Sequence, residues 1–324
     1  MFTTSHHFIL TITDEAGSVL HSEEAHDFLP CVEEIYFAAV CAGQVANDGK
    51  PATALIEPVW SNADKETLAG VRASLPPLSK TWGLEIFADK VTQALRNGDK
   101  LREWLEEKKK FAWQVTAEPR AEEKTRRFTS RLSRAPYPFE PRPLADFGIV
   151  QSEARAFSVF IASALLDELR RATADSLEIE RADFLLGHLL QPGEGSVALV
   201  ITDRLPAVVE TTASKAHFSF SPQTFMEAQR EMAGRSDGAV ICGWHHNHPP
   251  PCGGECLPVI PPCRSETLFF SLDDRQVHRA SFSASWMIAL VSGKEAEKRA
   301  DQPGVRAWGW RDGIVRQTDF TIFG

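Results

Sequence analysis

The apolar positions near the start of the chain fall into short runs. Phe8-Ile9-Leu10-Thr11-Ile12-Thr13 and Ser18-Val19-Leu20-His21 flank Asp14-Glu15-Ala16-Gly17, a pattern that predicts two paired strands around a glycine-containing turn. Leu29, Val32, Ile35, Tyr36 and Ala39 then recur near helical spacing within residues 27–43, with Pro30 restricting where that helix begins. Thr53-Ala54-Leu55-Ile56 reads as a strand, and residues 84–110 read as a helix with a heavily charged end. These elements predict a small α+β domain over residues 1–118, in which no catalytic motif is evident.

From residue 119 the pattern breaks. Arg120, Lys124, Arg126, Arg127, Arg131 and Arg134 precede Pro136, Pro138, Pro141 and Pro143, so residues 119–146 read as a basic, proline-rich linker. The arginines there are either a solvated charge run or a dock for an acidic surface. A second domain follows over residues 147–324. It opens with an amphipathic helix pattern at Phe157–Arg171 and continues into mixed strand and loop signals.

The sharpest chemistry is carried by a strand. Val240-Ile241-Cys242-Gly243-Trp244 is an apolar approach to His245-His246-Asn247-His248-Pro249. Alternate residues of a strand share a face, which sets Trp244, His246 and His248 on one side and His245 and Asn247 on the other. Two imidazoles side by side suit zinc, which in a catalytic site takes three protein ligands and keeps one position open. Phe269-Phe270-Ser271-Leu272-Asp273-Asp274 offers the third ligand: Ser271 can cap a helix whose first turn carries Asp274. A general base has to be a carboxylate that does not itself bind the metal, and Glu180, in Ile179-Glu180-Arg181-Ala182-Asp183-Phe184-Leu185-Leu186-Gly187, is the candidate. His245 reads as a supporting or surface residue, and becomes a competing ligand only if the register slips by one.

Taken in order, Glu180, then Gly243-Trp244-His245-His246-Asn247-His248-Pro249, then Ser271-Leu272-Asp273-Asp274, the chain resembles the JAMM/MPN family of zinc metalloproteases. Leu185 and Gly187 keep the family's pattern after the glutamate, while Asp183 stands where a glycine is usual. The resemblance spans roughly residues 150–324. It implies an α/β MPN domain with the three-layer arrangement of cytidine deaminases, preceded by the separate smaller α+β domain. It also implies zinc on His246, His248 and Asp274, proton transfer by Glu180, and an oxyanion contact from Ser271. The implied activity is that of a deubiquitinase-like isopeptidase, cleaving after the C-terminal tail of ubiquitin or a ubiquitin-like protein, with E1- and E2-like conjugation enzymes as companions. The alternatives are a non-catalytic MPN scaffold, against which the complete ligand set stands, and a RadC-like protein of DNA metabolism. His-Asn-His-Pro suits the latter, whereas Gly243-Trp244 and the acidic charge do not.

Residues 249–270 exceed the compact spacing of that family and carry Cys252, Cys256 and Cys263. With His278 or Cys242 as a fourth ligand, these thiols can hold a second, structural zinc, as an insertion does in the AMSH-like branch of the family. Free thiols and a redox or disulfide role are the other readings.

Composition narrows the rest. A length of 324 residues suits two domains, and the formal net charge of -9 gives no global reason to bind nucleic acid. No run approaches the ~18 apolar residues of a membrane helix. The opening Met1-Phe2-Thr3-Thr4-Ser5-His6-His7 does not read as a signal peptide, so a reducing cytoplasmic setting is expected.

Overall fold

The structure is a computed structural model and describes residues 2–25, 27–50, 52–63, 67–97, 110–120, 135–150, 156–176, 178–193, 195–207, 220–249, 266–295 and 303–324. The chain divides into two compact units. One comprises Met1–Val40, Gln44–Pro136 and Arg311–Ile314, the other Cys41–Gly43, Tyr137–Trp310 and Val315–Gly324.

Among the described residues the first unit holds two small sheets. β1 (Phe2–Thr4), β4 (Ala54–Trp60), β5 (Leu68–Leu75) and β6 (Leu78–Gly83) form one; β3 (Val19–Glu24), β2 (His6–Asp14) and β7 (Phe111–Pro119) form the other. The expected hairpin is β2–β3, and Asp14 shapes its turn by accepting the backbone N–H groups of Ala16 and Ser18. Alternate residues Phe8, Leu10 and Ile12 of β2 are fully buried, the period-2 signature of a half-buried strand. The expected helix is α1 (Leu29–Cys41), with Pro30 in its first turn, where a missing N–H costs no helical bond. The helix expected over 84–110 begins as a 3-10 turn (Leu84–Phe87) and continues as α2 (Ala88–Asn97); the remainder, to residue 109, lies outside the described residues.

The second unit is built on a nine-stranded mixed sheet among the described residues. Its order is β15 (Ile314–Thr318), β14 (Gly304–Arg311), β13 (Ile288–Gly293), β12 (Val240–His248), β10 (Ala182–Gly193), β11 (Ser196–Pro206), β9 (Phe157–Ala162), β16 (Thr321–Phe323), with β8 (Phe139–Glu140) also paired to β10. The central strand β10 is buried from Ala182 to Leu190 with no alternation, as a strand covered on both faces must be. Helix α3 (Ser163–Ala174) covers one face, while α4 (Pro222–Ala233) and α5 (Leu272–Ser281) contribute to the core on the other, around Phe184, Trp244, Phe282 and Trp308.

Two expectations need correction. Phe157–Arg171 is not one helix: Phe157–Ala162 is strand β9, held in parallel between β11 and β16, and only then does α3 begin. Residues 157–161 are Phe-Ser-Val-Phe-Ile, aromatic and β-branched, so intrinsic strand preference outweighs the apolar spacing that mimics a helix. The C-terminal part of the segment read as linker is also built into the second unit. Tyr137 and Leu144 are buried, and β8 adds to the sheet beside Leu189 and Leu190. The prolines there break helix and ladder without keeping the chain out of the core.

Among the described residues no helix is long and apolar enough to cross a membrane.

Candidate metal centre

β12 delivers the predicted alternation. It runs antiparallel to β10, with Ala182 opposite His246 and Asp183 opposite His245, and parallel to β13 on its other side. The ladder is bulged where Leu185 faces Gly243 and Leu186 faces Ile241. Gly243 sits there at φ 147°, and a Cβ on it would overlap the carbonyl oxygen of Ile288. Glycine is thus required just before Trp244 for β12 to lie this close to β13.

On one face, His246 Nε2 and His248 Nε2 are 3.0 Å apart. His246 Nε2 is 3.2 Å from Asp274 Oδ1, and His248 Nε2 is 3.6 Å from Asp274 Oδ2. All three residues are buried, and their ligand atoms lie within 4.8 Å of one another. His248 Nδ1 is 2.8 Å from the carbonyl oxygen of Thr267, which can only accept; the proton therefore sits on Nδ1, and Nε2 presents its lone pair to the other ligands. A second bond, from Thr267 Oγ1 to the carbonyl oxygen of His248 at 3.2 Å, ties the same two residues again. Two imidazole nitrogens and a carboxylate crowded together are a donor set that could hold a divalent cation, and so fits the metal expected here.

Asp274 enters from α5. Ser271 caps that helix in a reciprocal capping box: Ser271 Oγ accepts the N–H of Asp274 at 3.1 Å, and Asp274 Oδ2 accepts the N–H of Ser271 at 2.6 Å. The cap fixes the Asp274 rotamer, and because Ser271 Oγ serves as acceptor, its O–H remains to donate. Burial pushes the Asp274 carboxyl up, but His246, His248 and the Ser271 bond outweigh it and hold the group below the usual carboxylate range. Burial, reinforced by the charge of His246, lowers His248 to about 4.

Glu180 lies in the turn before β10, 7% exposed, with Oε1 3.9 Å from His248 Nε2. Burial raises its carboxyl to about 7; His246 opposes that rise, and Asp274 and Asp273 add to it. A carboxyl poised near neutrality beside ligands that are not its own is suited to accept and return a proton.

The other face of β12 carries residues that the sequence leaves in supporting roles or unassigned. His245 is 2% exposed, so it is no surface residue. Its Nδ1 is 2.8 Å from Asp183 Oδ2 and its Nε2 is 2.7 Å from Ser292 Oγ, which in turn meets Thr173 Oγ1 at 2.5 Å. Asp183 also accepts from Arg204 at 2.7 Å, and Arg204 from there reaches Glu168. Asp183 is therefore half of an ion pair with the half-buried Arg204 and holds His245 on the face of β12 opposite His246 and His248. A cavity of about 510 Å³ opens beside it, its wall including Thr173, Glu180, Asp183, Arg204, His245 and Asn247.

Trp244 lies flat against His246, and its Nε1 donates to His278 Nδ1 at 3.1 Å. His278 is fully buried among Phe270, Phe282 and Trp310, with burial lowering its pKa to about 3. Cys242 is a free, fully buried thiol pushed up by burial. Cys252, Cys256 and Cys263 lie outside the described residues.

No family model and no curated protein matches the chain. Among solved structures, it is similar to a solution structure of a protein from Desulfitobacterium hafniense at 18% identity and a TM-score of 0.35, covering 51% of this chain and 92% of that one. It is also similar to one from Salinibacter ruber at 18% identity and a TM-score of 0.28, covering 50% and 90%. Likeness this slight leaves the chemistry to be argued from the residues themselves.

Proposed function

We propose that the second unit is a zinc-dependent isopeptidase or peptidase of the JAMM/MPN kind, with the three-layer arrangement expected of it. It would cleave after the C-terminal tail of ubiquitin or a ubiquitin-like protein, to remove it from a lysine or to mature its precursor. The observation that carries this reading is the buried convergence of His246, His248 and Asp274 with Glu180 3.9 Å away and poised near neutral pH.

Zinc, if held by His246, His248 and Asp274, would supply Lewis acidity, making a water more acidic and a carbonyl more electrophilic. Glu180 accepts the proton of the attacking water and returns it to the departing lysine amine. Ser271 Oγ–H donates to the carbonyl oxygen as negative charge develops there. No side chain attacks the carbonyl, so no acyl-enzyme forms. Phe269, 53% exposed with its ring 4.6 Å from that of His248, gives an incoming tail an apolar surface beside the ligands. Conjugation enzymes acting on the same modifier are the expected partners. A second, structural zinc on Cys252, Cys256 and Cys263 belongs to the same reading, and replacing those cysteines by serine would lower the zinc content by one equivalent.

The test is metal analysis of the purified protein together with incubation of wild type and Glu180→Ala against fusions and lysine conjugates of ubiquitin-like proteins. Stoichiometric zinc, cleavage by wild type and none by the variant is the expected result. Stoichiometric zinc with no cleavage across a broad panel would overturn the assignment.

A further inference from the structure

Of the polar groups lining the cavity beside the outward face of β12, Asp183, Arg204, His245 and Asn247 are each hydrogen-bonded to protein partners. One of those partnered side chains bears on the chemistry. Asn247 stands between the ligands His246 and His248 and, by strand alternation, faces the opposite way. Its Oδ1 accepts the backbone N–H of Arg181 at 2.6 Å. Its Nδ2 donates to the carbonyl oxygens of Ser176 at 2.9 Å and Ile179 at 3.3 Å. Its own backbone N–H donates to the carbonyl oxygen of Arg181 at 3.1 Å.

The residues so held, Ile179 and Arg181, are the immediate neighbours of Glu180. Glu180 lies outside the sheet, since β10 begins at Ala182, so no strand ladder fixes it. Ile179 beside it is 47% exposed and gives the turn little packing of its own. One amide that both donates and accepts meets the turn on either side of the carboxylate. That amide sits on the same rigid strand as two of the metal ligands.

We propose that Asn247 is a positioning residue: it fixes the distance between the Glu180 carboxylate and the His246/His248/Asp274 centre by clamping the turn that carries Glu180. The inference rests on the proposed peptidase reading for its catalytic consequence, though not for the clamp. Displacement of a catalytic group by about 1 Å costs on the order of 10²-fold in rate, so a clamp of this kind controls turnover without touching substrate. His245 assists from the same face by holding Asp183, three residues further on.

Asn247→Asp is the discriminating variant. It keeps the shape and the acceptor for Arg181, but sets a carboxylate oxygen against the carbonyl oxygens of Ser176 and Ile179. Asn247→Ser, smaller and uncharged, guards against a folding defect in the first. Three quantities are measured on full-length protein: zinc affinity, kcat and KM on a cleaved ubiquitin-like fusion, and hydrogen exchange of the Glu180 and Arg181 amides. The clamp predicts at least tenfold faster exchange at Arg181 in Asn247→Ser, whose shorter side chain no longer reaches that amide, and in both variants kcat lower by about 10–100-fold, KM within about twofold, and zinc affinity within about threefold of wild type. A variant that loses zinc in step with activity makes Asn247 merely structural and overturns the proposal, as does unchanged Arg181 exchange in Asn247→Ser or unchanged kcat. If wild type binds zinc and cleaves nothing, the peptidase reading fails. Faster Arg181 exchange in Asn247→Ser then still supports the clamp.

Discussion

The indole of Trp244 lies on the imidazole of His246 with 4.5 Å between ring centroids and 12° between their planes. The stack holds a candidate metal ligand whose Nδ1 finds no hydrogen-bond partner among the described residues. His246 is therefore oriented by packing, where His248 is oriented by the Thr267 carbonyl. Trp244→Phe keeps an apolar ring but leaves a cavity and deprives His278 Nδ1 of its donor. Thermal or urea unfolding should show a loss of about 2–4 kcal/mol, and zinc titration should show affinity reduced by about tenfold or more. An unchanged affinity would mean that the stack does not orient the ligand.

Ser271 caps α5, and substitution can separate that cap from its proposed oxyanion contact. Ser271→Gly gives up only a few tenths of a kcal/mol as a helix cap, whereas Ser271→Ala gives up about 0.5–2 kcal/mol. Both remove the O–H, so both should lower kcat by a similar factor of about 10²–10³. Activity that tracks stability across the two variants would remove the oxyanion role.

Glu180 makes the metal-free protein's stability depend on pH in a definite direction. Its folded-state pKa of about 7 lies above the ordinary 4.5, so between those values the folded chain keeps a proton that the unfolded chain has released. Its contribution is fully favourable below about pH 4.5 and declines as pH rises through 7. Glu180→Gln lacks this decline. Each tenfold preference for the protonated form is worth ~1.4 kcal/mol, so the metal-free variant should gain about 1–3 kcal/mol relative to wild type on going from pH 4.5 to 7. A constant difference in urea midpoints across that range would contradict the burial of the carboxyl.

Acid should release the metal late. His248 has a folded-state pKa lowered to about 4, so its neutral, ligating form persists well below the pH at which an ordinary histidine with a pKa of 6.5 is protonated. Asp274, held below the usual range, also remains ionised. The rise in Tm on adding zinc should persist to about pH 5 and vanish towards pH 4. Loss already near pH 6.5 would show that the ligands are ordinary, solvated groups.

Much of the candidate centre was legible because it depends on short-range geometry. The two-residue period of a strand pairs His246 with His248, and the three-residue step from a cap to the helix's first turn sets Asp274 beside Ser271. Glu180 is legible only through order and resemblance, because nothing local announces that a turn some sixty residues earlier returns to β12. The supporting side chains were hidden for the same reason. Asp183 looked like a missing glycine, and becomes a partner of His245 only when β10 and β12 are paired in register. Thr267 carries no signal until the chain comes back to His248. In β9 the opposite happened: the apolar spacing of Phe157–Arg171 suited a helix, and the sheet neighbours that make Phe157–Ala162 a strand lie about forty residues away in β11 and at the very end of the chain in β16.

The doubled bond between His248 and Thr267 has a further consequence. Both ends of the intervening stretch are pinned to each other, Nδ1 to carbonyl and hydroxyl to carbonyl, just where the chain leaves the metal ligands and where it returns. Residues between them can be gained or lost in evolution without changing the spacing of His246, His248 and Asp274. By contrast, one residue added to β12 would exchange its two faces and put Asn247 where a ligand belongs. Chain inserted between His248 and Thr267 should therefore be tolerated without disturbing His246, His248 and Asp274.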